Sequence, residues 1–382
     1  MPTTTPLIQF GDARFDPTSP DADRRPREAM LPLLRAFLQD TAARCGYHRA
    51  RFDRVRFDPS TLRTLDDLTR LPTLGLDDLT ALPGYRLLPD ALVEGFRRGL
   101  PPAAPDLHIE LKATTTGSTG TPKCSYYTRS DFDVICAVFQ RVLQHVPRED
   151  YARVFQTWIN PPTGHWISSA FGRLGAMVEL RHHTAVEPER VLEQMRRSDV
   201  MDHGGFNALA TPPCTPKGAV KKGSTLDELL LADAENQLGT LRLVVTMGHP
   251  RDVPELRLKA RVWEANELAG VAPARFVDVY SCVEAAPMAA ECEADDGAHL
   301  MDGPCYVEVI DERTGRHVRS GERGLIVATS MRHGSRYVRY MPGDEALYVD
   351  EPCRCGRRTA RIKDVARVME KSRLAGGCAA GL

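Results

Sequence analysis

Residues 114–123 read "TTTGSTGTPK". These ten positions carry six hydroxyl side chains, two glycines and a closing lysine. Glycines let the backbone approach an anion closely, hydroxyls donate to phosphate oxygens, and lysine adds a compact positive charge. A Walker A loop would need G-x-x-x-x-G-K-[ST] opening a helix. Here Lys123 follows Pro122 and precedes Cys124, so that template fails. A flexible Ser/Thr/Gly linker has no reason to end in Pro-Lys after this order of residues. The stretch reads as a phosphate-wrapping loop of another kind.

The segments on either side supply the architecture. The first hundred residues look helical and proline-punctuated. "RRPREAMLPLLRAFLQDTAARCGYHRARF" places Met30, Leu33, Leu34, Phe37 and Leu38 at helical spacing. The phrase "LDDLT" occurs in "TLDDLTRLP" and again in "GLDDLTALP", each ended by proline. Two such phrases do not make a solenoid. From about residue 150, "ARVFQTW", "LRLVVTM" and "ARFVDVY" read as strands, with "PERVLEQMRRSDV" and "PELRLKARVWEANELAG" as helices among them. That alternation predicts an α/β fold. Later, "CYVEVIDERTGRHV", "GLIVATS" and "RYVRYMPGDEALYV" predict antiparallel strands joined by tight turns. "TPKGAVKKGST" reads as a basic, Gly-containing loop.

Taken in order, the loop fits the pattern hydroxyl, hydroxyl, Gly, hydroxyl, Thr, Gly, x, Pro, Lys: Thr115, Thr116, Gly117, Ser118, Thr119, Gly120, Thr121, Pro122 and Lys123. It resembles the signature loop of the adenylate-forming superfamily of acyl-CoA synthetases, adenylation domains and luciferases. "VYSCVE" resembles the family's Tyr-Gly-x-Thr/Ser-Glu motif. "RYMPGDEA" is similar to Tyr-x-Thr-Gly-Asp, with proline for threonine. "GHP" stands where the family has its adenine loop, and "NPPTGHW" resembles the Pro-x-x-x-His segment near the acyl pocket. The branch resembled is that of phenylacetate–CoA ligase, through "LDDLTRLP", the "EC…H…D" run, "EVIDERTGRHVRSGERG" and the "CxCGRxxxRI" ending. It covers roughly residues 25 to 370.

The resemblance implies the large N-terminal domain of such enzymes: mixed sheets with flanking helices plus a smaller antiparallel β piece. It implies a helical part over 1–110, an α/β nucleotide- and acid-binding core over 111–303, an antiparallel subdomain over 304–370 and a disordered tail over 371–382. Few residues follow Asp344, so the family's C-terminal lid domain is not expected within this chain. Residues 115–123 would wrap the β- and γ-phosphates of ATP. Gly248, His249 and Pro250, with Tyr280, Ser281 and Cys282, would flank the nucleotide. Glu284 would hold Mg²⁺, a cation that takes carboxylate and phosphate oxygens. Asp344 would accept from the ribose hydroxyls, and Arg367 would add a ribose and phosphate contact. Lys123, Glu284 and His165 would be catalytic, His165 lying near the acid; His182 and His183 read as surface residues. Three departures from the family pattern stand out: Val283 replaces the hydroxyl that usually meets the α-phosphate, His249 replaces a glutamate, and "ARVMEK" lacks the two hinge aspartates.

Ten cysteines in a chain of this size read as reduced, buried or metal-bound rather than as a disulfide framework. Cys353 and Cys355 alone are a weak metal signal. The branch resemblance adds Cys292 and His299, giving three thiolates and one imidazole, a closed tetrahedral set suited to structural zinc.

The expected activity is ATP-dependent conversion of a carboxylic acid, by branch analogy an aromatic one, to an acyl-adenylate, with transfer to the thiol of CoA or a carrier protein. The alternatives are a nucleotide-binding protein without turnover, suggested by Val283, and a natural-product tailoring ligase acting on another acid or nucleophile. A net charge of −1 argues against nucleic-acid or lipid partners. No basic start leads into an apolar run and no apolar stretch reaches membrane-spanning length, so a cytoplasmic location is expected. The oligomeric state is open, with a homodimer admitted.

Overall fold

Leu33, Leu34, Phe37 and Leu38 fall on one side of the helix Leu31–Arg44, where all four are buried. They meet Ile8, Phe10 and Phe15 of a short hairpin, and Phe52, Phe57, Leu62 and Leu68 from the segments that follow. Full burial of each such side chain stabilises by about 1.5–3 kcal/mol. The computed structural model describes residues 6–19, 21–75, 78–79, 82–99, 108–114, 123–158, 163–214, 224–247 and 256–368. The described part of the chain forms two compact units. One contains residues 1–138, 282–289 and 296–382, and the other 139–281 and 290–295.

In the first unit the C-terminal strands are antiparallel. Arg323–Ser330 pairs with Cys305–Ile310, with Tyr337–Tyr340 and with Asp344–Val349. Arg361–Arg367 then pairs with Asp344–Val349 and with Ala298–Leu300. A separate hairpin joins Ile109–Thr114 to Cys124–Thr128, with Thr114 opposite Cys124. Its connection is the phosphate-loop sequence, of which 115–122 lie outside the described residues.

The first LDDLT phrase becomes the 3-10 turn Leu65–Arg70, closed by a Thr64–Asp67 capping box. Shortly beyond it, the Leu74 N–H donates to the Arg339 carbonyl at 2.7 Å and the Met341 N–H to the Leu74 carbonyl at 3.0 Å. The phrase thus clips an N-terminal segment onto the strand that carries Tyr340.

The second unit is the α/β piece. Five parallel strands lie in the order Arg275–Tyr280, Leu243–Met247, Ala208–Thr211, Arg153–Gln156, Met177–Leu180. The helices Thr163–Arg173, Pro188–Arg197, Leu226–Ala232 and Leu258–Leu268 fall between successive strands in the chain. Ala208–Thr211 and Leu243–Met247 are buried at every position, as parallel strands covered on both faces must be. Asn266 donates to the Gly239 and Leu241 carbonyls and accepts from the Ala274 N–H. That satisfies a fully buried amide and fixes the return from helix to strand. The predicted strands and helices of both units appear in place, in a mixed α/β architecture with parallel and antiparallel parts. The basic loop at 215–223 lies outside the described residues.

Candidate active site

Lys123 ends the phosphate-loop sequence and leads directly into the strand Cys124–Thr128. Its ammonium lies 2.5 Å from Glu284 Oε1. It also donates to the Tyr340 hydroxyl at 2.7 Å, and that hydroxyl donates to the same Glu284 oxygen at 3.1 Å. The lysine is 14% exposed and the glutamate 3%, so the pair is shielded from water and salt. Burial raises the Glu284 pKa, but Lys123 and the hydrogen bonds more than reverse this and leave it below the usual glutamate value. Burial, and then the Glu284 charge, push the Tyr340 phenol well above its ordinary value, which keeps it a neutral donor.

The loop carrying Glu284 is held by its backbone. Cys282 and Ala285 exchange two N–H···O bonds of 3.2 Å. The Val283 carbonyl accepts from the Tyr127 hydroxyl and from Arg332 Nη1, the latter at 3.1 Å. Arg332 stacks its guanidinium over the Tyr127 ring at 4.5 Å. The turn after Arg332 is pinned by Asp131, which accepts from the His333 and Gly334 N–H groups at 2.8 and 2.9 Å. Sequence reasoning quoted Tyr340 within a motif without assigning it a role, and it passed over Tyr127 and Arg332. A tyrosine three residues beyond the start of the hairpin strand and an arginine after an apolar strand carry no motif signal, because their partners are far away in sequence.

Asp344 and Arg367 lie opposite each other in the pairing of Asp344–Val349 with Arg361–Arg367. Arg367 Nη1 donates to Asp344 Oδ1 at 3.0 Å and to the Pro342 carbonyl at 2.9 Å. The loosest match of the sequence reading is thus beside the aspartate with which it was expected to act.

Tyr280 ends the parallel strand Arg275–Tyr280, with Ser281 next. Cys282 belongs to the unit that holds Glu284. Its thiol donates to the Ala285 carbonyl at 3.7 Å, and burial raises its pKa well above the ordinary thiol value. His165 is exposed near the start of the helix Thr163–Arg173, which follows the strand Arg153–Gln156. Gln156 tethers that helix by donating to the Trp158 and Gly164 carbonyls at 2.6 and 2.9 Å. Ligands of open parallel sheets gather beyond the carboxyl ends of the strands, and both Tyr280 and His165 occupy that end. His182 and His183 are exposed. Thr115 to Thr121 and Gly248, His249 and Pro250 lie outside the described residues.

Cys292, His299, Cys353 and Cys355 each offer one ligand atom, and these four atoms lie within 4.8 Å of one another. His299 Nδ1 is 3.0 Å from the Thr359 carbonyl, which can only accept. The Thr359 hydroxyl, which can accept or donate, lies at the same 3.0 Å; with the proton on Nδ1 toward the carbonyl, the Nε2 lone pair faces Cys355 Sγ at 3.3 Å. Burial, with Arg357 next, lowers the His299 pKa to about 4, so the ring is neutral at pH 7. A neutral imidazole oriented by a carbonyl is the form that ligates metal. No disulfide occurs among the described cysteines.

No family model matches the chain. It is 24% identical over 362 residues to the phenylacetate–coenzyme A ligase of Thermus thermophilus, covering 90% of this chain and 71% of that protein. Among solved structures it is similar to 2-hydroxyisobutyryl-CoA ligase in an open conformation with 2-HIB-AMP and CoA. That match has a TM-score of 0.70 at 20% identity, covering 90% of this chain and 70% of the other. The same ligase in its thioesterification state also gives a TM-score of 0.70, at 22% identity, covering 92% and 69%. The chain has the fold of the adenylate-forming acyl-CoA ligases.

Proposed function

We propose that this chain uses ATP to activate a carboxylic acid as its acyl-adenylate and passes the acyl group to a thiol. The observation that carries the reading is the convergence of the Lys123 ammonium and the Tyr340 hydroxyl on one buried oxygen of Glu284, with Lys123 ending a stretch of phosphate-binding composition. The acid's carboxylate oxygen attacks the α-phosphorus, the bond from that phosphorus to the bridging oxygen breaks, and pyrophosphate leaves. Lys123 and the loop donors position and neutralise the phosphates, and positioning with charge stabilisation supplies most of the catalysis. Asp344 and Arg367 hold the ribose. In the second step a thiolate attacks the acyl carbon and AMP leaves, the thiol having lost its proton. CoA is the acceptor the relatives favour, since both are named as CoA ligases. A carrier-protein thiol and an aromatic acid are the finer readings that the resemblance motivates.

Glu284 is a buried anionic oxygen donor and fits a Mg²⁺ ion, which would screen the phosphate charge. For the four-residue cluster the donor chemistry, three thiols and an oriented neutral imidazole, fits zinc. Four protein ligands would leave no open position, so its role there is structural.

The test is acid-dependent ATP–pyrophosphate exchange across a panel of aryl and hydroxy acids. Lys123→Ala and Asp344→Ala should each lower exchange by the equivalent of about 1.5–3 kcal/mol, the loss of one charge-assisted contact, while the protein stays folded. Exchange at wild-type rates in both variants, for every accepted acid, would refute the assignment.

A further inference from the structure

Lys123 does more than await phosphate. Its ammonium lies 2.5 Å from Oε1 of Glu284, the carboxylate that would take a divalent cation. The Tyr340 hydroxyl caps the same oxygen at 3.1 Å. A cation and an ammonium cannot share that position: both are positive, and the oxygen is nearly closed to water. Glu284 is thus a carboxylate of the right kind whose Oε1 is already taken by Lys123 and Tyr340.

Tyr340 is placed for this contact by features that its neighbours do not need for themselves. Arg339, the residue before it, has φ of +54°, a region non-glycine residues rarely enter and hold only when their surroundings fix them. Its guanidinium is fixed by Glu308 at 3.1 Å and by the Leu71 carbonyl. The Leu74 N–H holds the Arg339 carbonyl from the other side. The left-handed residue redirects the strand, and the Tyr340 ring packs among Leu74, Leu79, Leu87 and Tyr337 with its hydroxyl on the lysine and glutamate. The Lys123 ammonium also lies 5.2 Å from the centroid of that ring, within cation–π range.

We propose that Lys123, Glu284 and Tyr340 form a latch that excludes divalent cation from the empty site, so that Mg²⁺ enters only with the nucleotide, whose phosphates draw Lys123 off Glu284. Tyr340 is the positioning residue: when Glu284 turns to the cation, the phenol oxygen remains as acceptor for Lys123 and keeps it within reach of the phosphates. This rests on the reading of Glu284 as the cation carboxylate. It predicts an order of binding that the fold alone does not dictate.

The test is a titration of the nucleotide-free, zinc-replete protein with Mn²⁺, read by electron paramagnetic resonance. The wild-type curve should superimpose on that of Glu284→Gln, both showing only weak surface binding. Lys123→Gln should gain one Mn²⁺ per chain, at least about tenfold tighter, and the double variant Lys123→Gln/Glu284→Gln should lose it again. A wild-type site that disappears in Glu284→Gln, or no gain in Lys123→Gln, overturns the latch. For Tyr340→Phe, the ATP concentration for half-maximal exchange should rise about tenfold, the maximal rate staying within about threefold. Unchanged half-saturation, or equal loss in both parameters, overturns the positioning role. The Mn²⁺ titration needs no acid and no turnover. A chain that adenylates nothing would still report on the latch, and an active enzyme with an open Mn²⁺ site would sink the latch and leave adenylation standing.

Discussion

His317 lies between two carboxylates. Its Nδ1 is 2.6 Å from Asp66 Oδ1, and its Nε2 is 2.9 Å from Glu308 Oε1. Carboxylates only accept, so both contacts are hydrogen bonds only when both ring nitrogens carry protons. Burial opposes that charge, but Glu308 and then Asp66 outweigh it and raise the His317 pKa above its ordinary value of 6.5. A raised pKa contributes stability that is fully present below the unfolded value, about 6.5, and is lost as pH rises through the folded value. The two arms differ. Asp66 is 82% exposed, whereas Glu308 is fully buried. The exposed arm contributes about 0–1 kcal/mol. The buried, charge-assisted arm contributes about 1.5–3 kcal/mol, against about 0.5–1.5 for a neutral donor in its place. His317→Gln retains a donor but not the charge. At pH 5.5, where Glu308, held below the usual glutamate value by Arg339 and His317, remains ionised, it should therefore destabilise by about 1–2 kcal/mol. Once pH has risen through the folded value the imidazole is neutral and can donate to only one carboxylate, so the deficit of the variant should shrink toward about 0.5 kcal/mol or less as pH is raised to 9. Urea unfolding of both proteins at the two pH values measures this directly. An equal stability difference at pH 5.5 and pH 9 would refute the claim that His317 is held as a cation.

Elemental analysis of protein never exposed to chelator should find about one zinc per chain, and its absence would refute the cluster as a zinc site. Cys355→Ser should lower thermal stability far more than it lowers exchange per folded molecule. Gly334→Ala should destabilise by about 1–3 kcal/mol, because a Cβ there would run into the Tyr126 carbonyl and the Asp131 carboxylate. It should also reduce exchange by shifting the turn after Arg332; thermal unfolding with exchange assays checks both, and a variant normal in both would show that the turn does not support the Glu284 loop.

Several parts of this arrangement were legible before any coordinates. Strands such as "LRLVVTM" announce themselves because a parallel strand buried on both faces must be apolar throughout. Asp344 and Glu284 were singled out by local motifs. Arg367 was harder, since its motif match was imperfect, yet strand register alone puts it across from Asp344. What stayed hidden was the support. Tyr127, Arg332 and Asp131 act through partners up to about two hundred positions away, as with Asp131 and Gly334, and no local pattern encodes that. The two LDDLT phrases look alike in sequence. The structure shows the first leading to a clip on the Tyr340 strand through Leu74, while part of the second lies outside the described residues.

The Val283 departure takes a different meaning once the supports are known. A hydroxyl at that position would offer a side-chain donor to the α-phosphate, and valine cannot. Yet the carbonyl of the same residue is the point where Tyr127 and Arg332 grip the loop. Arg332 is fully buried, and its Nε and Nη2 find no hydrogen-bond partner among the described residues, so its one strong main-chain bond and its stacking on Tyr127 hold a costly group in place. What it fixes is the backbone that aims Glu284 at Lys123. Loss of a hydroxyl at 283 removes one ligand contact but leaves the carboxylate placement intact. The same backbone grip would keep Glu284 in position after Lys123 departs, so that the cation arriving with the nucleotide meets an oxygen already in place.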